Sequence, residues 1–268
     1  MILSDFHVHT NFGDGKNSPE EIVLTAINRG LTAIGFSEHA YVPFDSGYCL
    51  TPETSVTYRN EINRLKKKYE DKIKILCGIE ADSFADCDYE NYDYVIGSVH
   101  YLSACGNVYS VDLSKEETMR CVSEAFGNNF DSFAEAYYEE IYCLYEKIKP
   151  NIIGHFDLIT KFKKSGISPT ENSPRYVNAW KSVLEKIGNK VTFEVNTGAI
   201  SRGYRLSPYP SKEILSYLAE QNTTLILSSD SHEKNTLCYK FNENFELLTK
   251  LGFTHFGFYN NQNNFIKQ

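Results

Sequence analysis

Nowhere in these 268 residues does an apolar run approach the roughly 20 positions a membrane-spanning helix requires, so no helical span is expected. Basic side chains are in short supply too. Lys and Arg number 27 against 35 Asp and Glu, a formal charge of −8 that repels a phosphate backbone and argues against a nucleic-acid partner. Met1 leads straight into a strand-like segment, without the basic and apolar regions of a secretory leader. No C-x-x-C pair occurs among the seven cysteines (Cys49, Cys77, Cys87, Cys105, Cys121, Cys143, Cys238), a scattered and odd set that fits reduced thiols rather than a disulfide framework or zinc knuckle. These absences predict a cytoplasmic chain with neither membrane nor nucleic acid as partner. An internal repeat and a Gly/Ser linker are also missing, and low complexity is confined to the Asn-rich tail, so one domain over 1–268 is expected. With 41% apolar and 23% charged residues, the chain has material for a sizeable core.

What is present is alternation. Short β-branched or apolar runs at 2–9, 32–37, 73–80, 92–100, 151–155, 190–196 and 223–229 are separated by helical segments, the pattern of parallel strands joined by crossover helices. Seven such units can close as a barrel, with an eighth apolar run at 254–258 as an extra strand outside it. Ser18, Pro19 and Glu21 announce the first helix as a capping box with proline in the first turn, and Gly30 stops it. Ser132 and Glu135 repeat the box spacing ahead of a Tyr-rich helix ending before Pro150. The stretch 101–149 is too long for one crossover and predicts two helices; 165–176 reads as a polar loop. Lys66, Lys67 and Lys68 predict a solvated helix face, Tyr137, Tyr138, Tyr142 and Tyr145 a packed one, and His255 a packing role on the extra strand.

Six of the seven histidines fall at or just past the C-terminal ends of those strands. His7 and His9 end the first in D-F-H-V-H-T, His39 follows the second in S-E-H, His100 ends G-S-V-H, His155 stands in G-H-F-D and His232 in D-S-H. Glu80 in G-I-E and Asp230 in D-S-H occupy equivalent places. All strand C-termini of a parallel barrel open on one face, so these side chains converge on one mouth. Strand residues two apart point the same way, which pairs His7 with His9 and Asp230 with His232. A lone histidine in such a place is ordinarily a satisfied core residue. Six at one barrel end, joined by carboxylates, predict divalent metal of the kind such ligands prefer, Zn, Mn or Fe. About three to four protein ligands serve each catalytic ion, so the set suits two or three ions, with Asp14 of F-G-D-G either a further ligand or a turn cap.

The ordered set H-V-H-T at 7–10, S-E-H at 37–39, G-I-E at 78–80, G-S-V-H at 97–100, G-H-F-D at 154–157 and D-S-H at 230–232 resembles the metal motifs of the polymerase-and-histidinol-phosphatase (PHP) superfamily of phosphoesterases. Within it, G-S-V-H-Y at 97–101, Y-S-V-D at 109–112, G-H-F-D-L-I at 154–159 and E-V-N-T at 194–197 resemble the histidinol-phosphatase branch. The resemblance implies an α/β fold, a distorted (β/α)7, TIM-like barrel with its metal site at the strand C-termini. It also implies a trinuclear centre. His7, His9, Glu80 and Asp230 would hold one ion, with Glu80 bridging to a second held also by His100 and His155, and Asp14, His39 and His232 would hold the third. The activity implied is hydrolysis of L-histidinol phosphate to L-histidinol and phosphate, in histidine biosynthesis, by a metal-bridging hydroxide with Glu80, Asp230 and His232 at the reacting atoms. No D-x-D-x-T or C-x5-R pattern points to a phosphoenzyme.

Phosphate calls for a cation beyond the metals, and Arg202 and Arg205 in T-G-A-I-S-R-G-Y-R, with Lys161 after G-H-F-D, are the candidates. Asp45 in P-F-D-S and Asp112 in Y-S-V-D are candidate partners for the imidazole and ammonium of histidinol. The same ligands would serve a phosphotyrosine protein, a sugar phosphate or a nucleotide. An amidohydrolase-like deaminase also starts with H-x-H, but G-I-E puts glutamate where that family has a carboxylated lysine. A non-catalytic metal-stabilised module is disfavoured by the complete ligand set.

Overall fold

The computed structural model describes residues 4–253, 256–259 and 265–267. Its wall consists of β1 (Ser4–Asp5), β2 (Ala33–His39), β3 (Lys74–Ala81) and β4 (Tyr94–Gly97), then, after a hairpin of β5 (Tyr101–Ala104) and β6 (Asn107–Ser110), β7 (Ile152–Ile153), β8 (Thr192–Asn196) and β9 (Leu225–Ser228). Every neighbour in the order β1-β2-β3-β4-β7-β8-β9 pairs in parallel. The sheet is nearly closed. Between its first and last strands the seam is carried by one bridge, Val8 to Ser231, with His9 N donating to Ser231 O at 2.9 Å and Ser231 N to His7 O at 3.2 Å. The buried Asp5 carboxylate completes the seam, accepting from Ser229 N at 3.0 Å, Cys238 N at 2.9 Å and the Ser229 hydroxyl.

Around the wall lie α1 (Pro19–Asn28), α2 (Pro52–Lys68), α3 (Lys115–Phe126), α4 (Phe130–Ile148), α5 (Pro174–Ile187), the short α6 (Gly198–Ser201), α7 (Lys212–Glu220) and α8 (Phe241–Lys250). The expected capping box starts α1, with Ser18 N donating to Glu21 Oε2 at 3.0 Å and Glu21 N to Ser18 Oγ at 3.3 Å. The second expected box does not form. α4 begins earlier, because Asn129 Oδ1 already accepts from Asp131 N (3.0 Å) and Ser132 N (3.1 Å), leaving Ser132 and Glu135 inside the helix to bind Arg175 of α5. The 101–149 stretch holds the two helices expected, α3 and α4, plus the β5–β6 hairpin, and the 165–176 loop ends in α5 at Pro174. Tyr137 and Tyr138 are buried, with Tyr142 and Tyr145 partly so, whereas Lys66 and Lys68 reach Asp93 and Glu20, each at 2.5 Å. Of the run at 254–258, residues 257 and 258 fall in β10 (Gly257–Tyr259), which pairs antiparallel with β11 (Phe265–Lys267). His255 lies outside the described residues.

Two apolar layers separate wall from helices, and a third cluster fills the barrel itself: Phe6, Ala33, Leu76, Tyr94, Ile96, Ile152 and Ile226. Tyr94 is its keystone. The hydroxyl donates to Phe6 O at 2.6 Å and Phe36 O at 3.0 Å, so the ring lies across β2 and β3. That crossing needs glycine on both strands: a Cβ on Gly35 would stand 2.4 Å from the hydroxyl, and one on Gly78 2.3 Å from a ring carbon. The packed interior fills the barrel below the strand C-termini, at whose end the histidines lie. Gly78→Ala should therefore lower the free energy of unfolding by about 3 kcal/mol, an overpacking effect readable by urea denaturation.

Candidate metal centre

Glu80, near the end of β3, is the hub. Its Oε1 faces His155 Nε2 at 2.9 Å and His100 Nε2 at 3.5 Å, while Oε2 faces His39 Nδ1 at 3.0 Å, His7 Nε2 at 3.2 Å and His9 Nε2 at 3.6 Å. Asp230 lies opposite, its Oδ1 3.5 Å from His9 Nε2, 3.6 Å from His232 Nδ1 and 3.9 Å from His7 Nε2. This aspartate has a φ of +49°, a conformation a non-glycine residue adopts only when its surroundings impose it. β1 and β7 are only two residues long, so His7, His9 and His155 stand just beyond the ladders, over the open end.

Asp14 joins from the loop after β1. Its Oδ2 is 3.1 Å from His232 Nε2 and 3.9 Å from His39 Nε2, and Oδ1 is 3.8 Å from His9 Nδ1. The loop doubles back because Gly13 N and Gly15 N both donate to Thr10 O, at 3.1 and 2.9 Å, and because a Cβ on Gly15 would collide with the His9 backbone at 2.6 Å. Buried Glu38 anchors the same loop by accepting from Thr10 N at 2.6 Å. Three groups of ligand atoms result: His9, Asp14, His39 and His232; His7, His9 and Asp230; His39, Glu80 and His100, each with its atoms within 4.8 Å of one another.

Two of the rings are held ready for a cation, while for His7, His155 and His232 burial is outweighed by neighbouring carboxylates and their pKa values are raised. Burial pushes His39 down to about 3 and lowers His9 as well, which keeps both rings neutral with lone pairs available. Burial alone would raise Glu80 and Asp230, but the imidazoles around Glu80, and Arg202 with His7 beside Asp230, hold both well below the usual carboxylate range. Buried and without a hydrogen-bond partner are His7 Nε2, both nitrogens of His9 and Glu80 Oε2. Such orphaned atoms are rare in folded proteins, and here they point at one another across a gap that donors of this type fill with a divalent ion. The residues fit divalent metal.

A cavity of about 450 Å³ opens over the centre. Of the cation candidates, Arg202 and Lys161 line it; Arg202 donates to Asp230 Oδ2 and O, both at 2.8 Å, and lies 3.2 Å from His232 Nδ1. Asp45 and Asp112 also line it, Asp45 accepting from the Tyr101 hydroxyl at 2.7 Å and Asp112 from Lys161 Nζ at 2.8 Å. Arg205 departs from expectation. It is buried away from the cavity lining, its guanidinium committed to Thr160 Oγ1, Pro208 O and Ser207 O and stacked 4.3 Å from the Tyr209 ring centroid, so it braces the loop after α6.

Sequence reasoning missed Glu194. Wholly buried on β8, it accepts from His7 Nδ1 at 2.8 Å, His155 N at 2.6 Å and Asn196 Nδ2 at 2.8 Å, fixing two of the imidazoles. The signal was the E-V-N-T segment itself, a charged residue inside an apolar strand. Asp82, just past β3, holds the backbone of His100, accepting from His100 N at 2.6 Å and Tyr101 N at 3.3 Å.

Residues 5–198 match the model of the PHP domain family. The chain belongs to the PHP family. A "Probable histidinol-phosphatase" of Schizosaccharomyces pombe is 30% identical over 259 residues, covering 88% of this chain and 81% of that one. The "Histidinol-phosphatase" of Bacillus subtilis is 26% identical over 265 residues, covering 90% and 97%. Among solved PHP-like structures, the histidinol phosphate phosphatase of Lactococcus lactis, complexed with zinc, L-histidinol and phosphate, shares the fold with a TM-score of 0.63 at 23% identity, over 95% of each chain. Among the described residues of this PHP chain, no helix is long and apolar enough to cross a membrane.

Glu194→Gln should weaken metal binding by about 10- to 100-fold while the barrel stays folded, because it loosens the ring orientation of His7 without removing a ligand atom. Titration of the metal-loaded protein with a chelator, read by metal release, checks this. Full removal of metal should lower the melting temperature, since buried ligand atoms lose their only partner.

Proposed function

We propose that this chain is a metal-dependent histidinol-phosphate phosphatase, acting in the cytoplasm as a single barrel domain on L-histidinol phosphate. One observation carries the reading: Glu80 and five imidazoles converge beneath a cavity of about 450 Å³ whose rim also carries Arg202, Asp45 and Asp112. That volume suits a small phosphomonoester. The relatives named histidinol-phosphatase, matched over most of their length, support the same substrate.

His7, His9, Glu80 and Asp230 would hold one ion, Glu80, His100 and His155 a second, and Asp14, His39 and His232 a third, each Zn, Mn or Fe. The 3.9 Å between His39 Nε2 and Asp14 Oδ2, and the 2.9 Å between His155 Nε2 and Glu80 Oε1, favour this partition, although His39 Nδ1 also approaches Glu80. When bound, such ions acidify a water and neutralise phosphate charge. The protein's own part is orientation. Glu80 offers its two oxygens to different imidazole sets, which suits a bridging carboxylate, and Asp230 and His232 line the same cavity, which supports a role for both beside the phosphate. Arg202 presents a planar fork to the cavity; of its five N–H groups, those not held by Asp230 and His232 are free to take a phosphate oxygen. Asp45 and Asp112 supply negative charge for the cationic end of histidinol.

Phosphate release from L-histidinol phosphate should exceed that from an aryl phosphate by at least about 100-fold in kcat/KM, the selectivity expected when buried polar groups recognise the substrate. Equal and slow hydrolysis of both would leave a phosphatase of some other ester. Glu80→Ala should reduce turnover by about 1000-fold or more with unchanged circular dichroism, since it removes one ligand from two ions; retained activity would sink the bridging role.

A further inference from the structure

Lys161 reaches the cavity from the segment after β7, yet its ammonium is already engaged. Nζ donates to both the Asp112 carbonyl and the Asp112 carboxylate at 2.8 Å, and it stands 5.1 Å from the centroid of the Tyr204 ring. One side chain therefore ties the segment after β6 to the segment after α6. Those segments carry Leu113, 72% exposed, and Tyr204, 40% exposed, and both residues line the same cavity as the ligand cluster. A scattered exposed apolar residue needs no explanation, but two at one cavity mouth, tied together by a mostly buried ion pair, do. A phosphate on Lys161 would have to share an ammonium whose charge Asp112 already neutralises, whereas Leu113 and Tyr204, the latter packed edge-on against Phe162, still expose apolar surface to the cavity.

We propose that Lys161 is a positioning residue rather than a phosphate ligand: it holds Leu113 and Tyr204 as an apolar clamp over the alcohol part of a phosphomonoester whose phosphate sits at the metal cluster. The proposal rests on the phosphatase reading above and deepens it. The clamp favours alcohols long enough to span from the cluster to the rim and carrying a flat ring to bury there. A short alcohol such as glycerol never reaches it. Specificity then arises at the rim and chemistry at the floor, on different residues.

The test uses the metal-loaded enzyme and compares kcat/KM for L-histidinol phosphate and glycerol 3-phosphate, together with the Ki of inorganic phosphate. Lys161→Met, which keeps the stem and removes the charge, should lose about tenfold on histidinol phosphate, as expected for losing roughly 50 Å² of apolar contact. Its activity on glycerol 3-phosphate and its phosphate Ki should each move by less than about twofold, because neither ligand reaches the clamp and binding at the cluster is unchanged. Parallel losses on both esters with weaker phosphate inhibition overturn the proposal and make Lys161 a phosphate ligand. Leu113→Ser, at an exposed position with little consequence for folding, should reproduce the selective loss; an unchanged ratio between the two esters overturns the clamp. If the wild type does not prefer histidinol phosphate at all, the substrate reading fails. The phosphate Ki of Lys161→Met then still decides whether that lysine holds phosphate.

Discussion

A carboxylate taken wholly out of water is expensive unless opposite charge or donors surround it, and Glu80 is surrounded by five imidazoles within 3.6 Å. Much of the architecture follows from that one group. Five rings from the ends of four strands can meet a single carboxylate only if those strands end at one level, which a parallel barrel supplies. Glu194 holds the His7 ring through Nδ1, and Glu194 and Asp82 hold His155 and His100 at their backbone N–H groups. The packed interior around Tyr94 then fills the barrel below the cluster.

Residues of one chemical type can nonetheless be put to opposite uses on neighbouring loops. Arg202 and Arg205 lie three positions apart, and one lines the cavity while the other is buried as a brace against Thr160, Ser207 and Pro208. The division has a physical origin. Arg202 caps the C-terminus of α6 with Asp230 alongside, whereas the chain after Gly203, at φ +78°, turns the next residues back toward Asp157 and Tyr209. Two guanidinium groups in one mouth would repel each other; one in the mouth and one in the frame do not.

The convergence of the histidines and carboxylates was legible in the sequence because its signal is positional: histidine at the end of an apolar run is a pattern that survives errors in strand length. All six of those histidines, with Glu80 and Asp230, do meet. Strand positions and barrel class were legible for the same reason. The start of α4 was not, since Asn129 and Ser132 both offer caps and only the left-handed turn at Gly127 and Asn128 decides between them. Nor were Glu194 and the fate of Arg205. A charged residue's partner depends on which loop folds over it, and spacing along the chain carries no information about that. Lys161 belongs with these: its neighbour Asp112 was legible as an acid near the mouth, their pairing was not.

The barrel's seam coincides with its chemistry. Residues 5–9 meet residues 229–231 through one bridge and the Asp5 carboxylate, and the same few residues carry His7, His9 and Asp230. These are contacts between the two ends of the strand order, separated by more than two hundred residues of chain, and loop closure of that length is among the last steps a folding polypeptide completes. During synthesis, then, the first histidines made are without Asp230, one of the carboxylates they meet, until β9 has left the ribosome. Metal capture is a late event by construction, and an ion that binds the finished centre would clasp the first strand to the last.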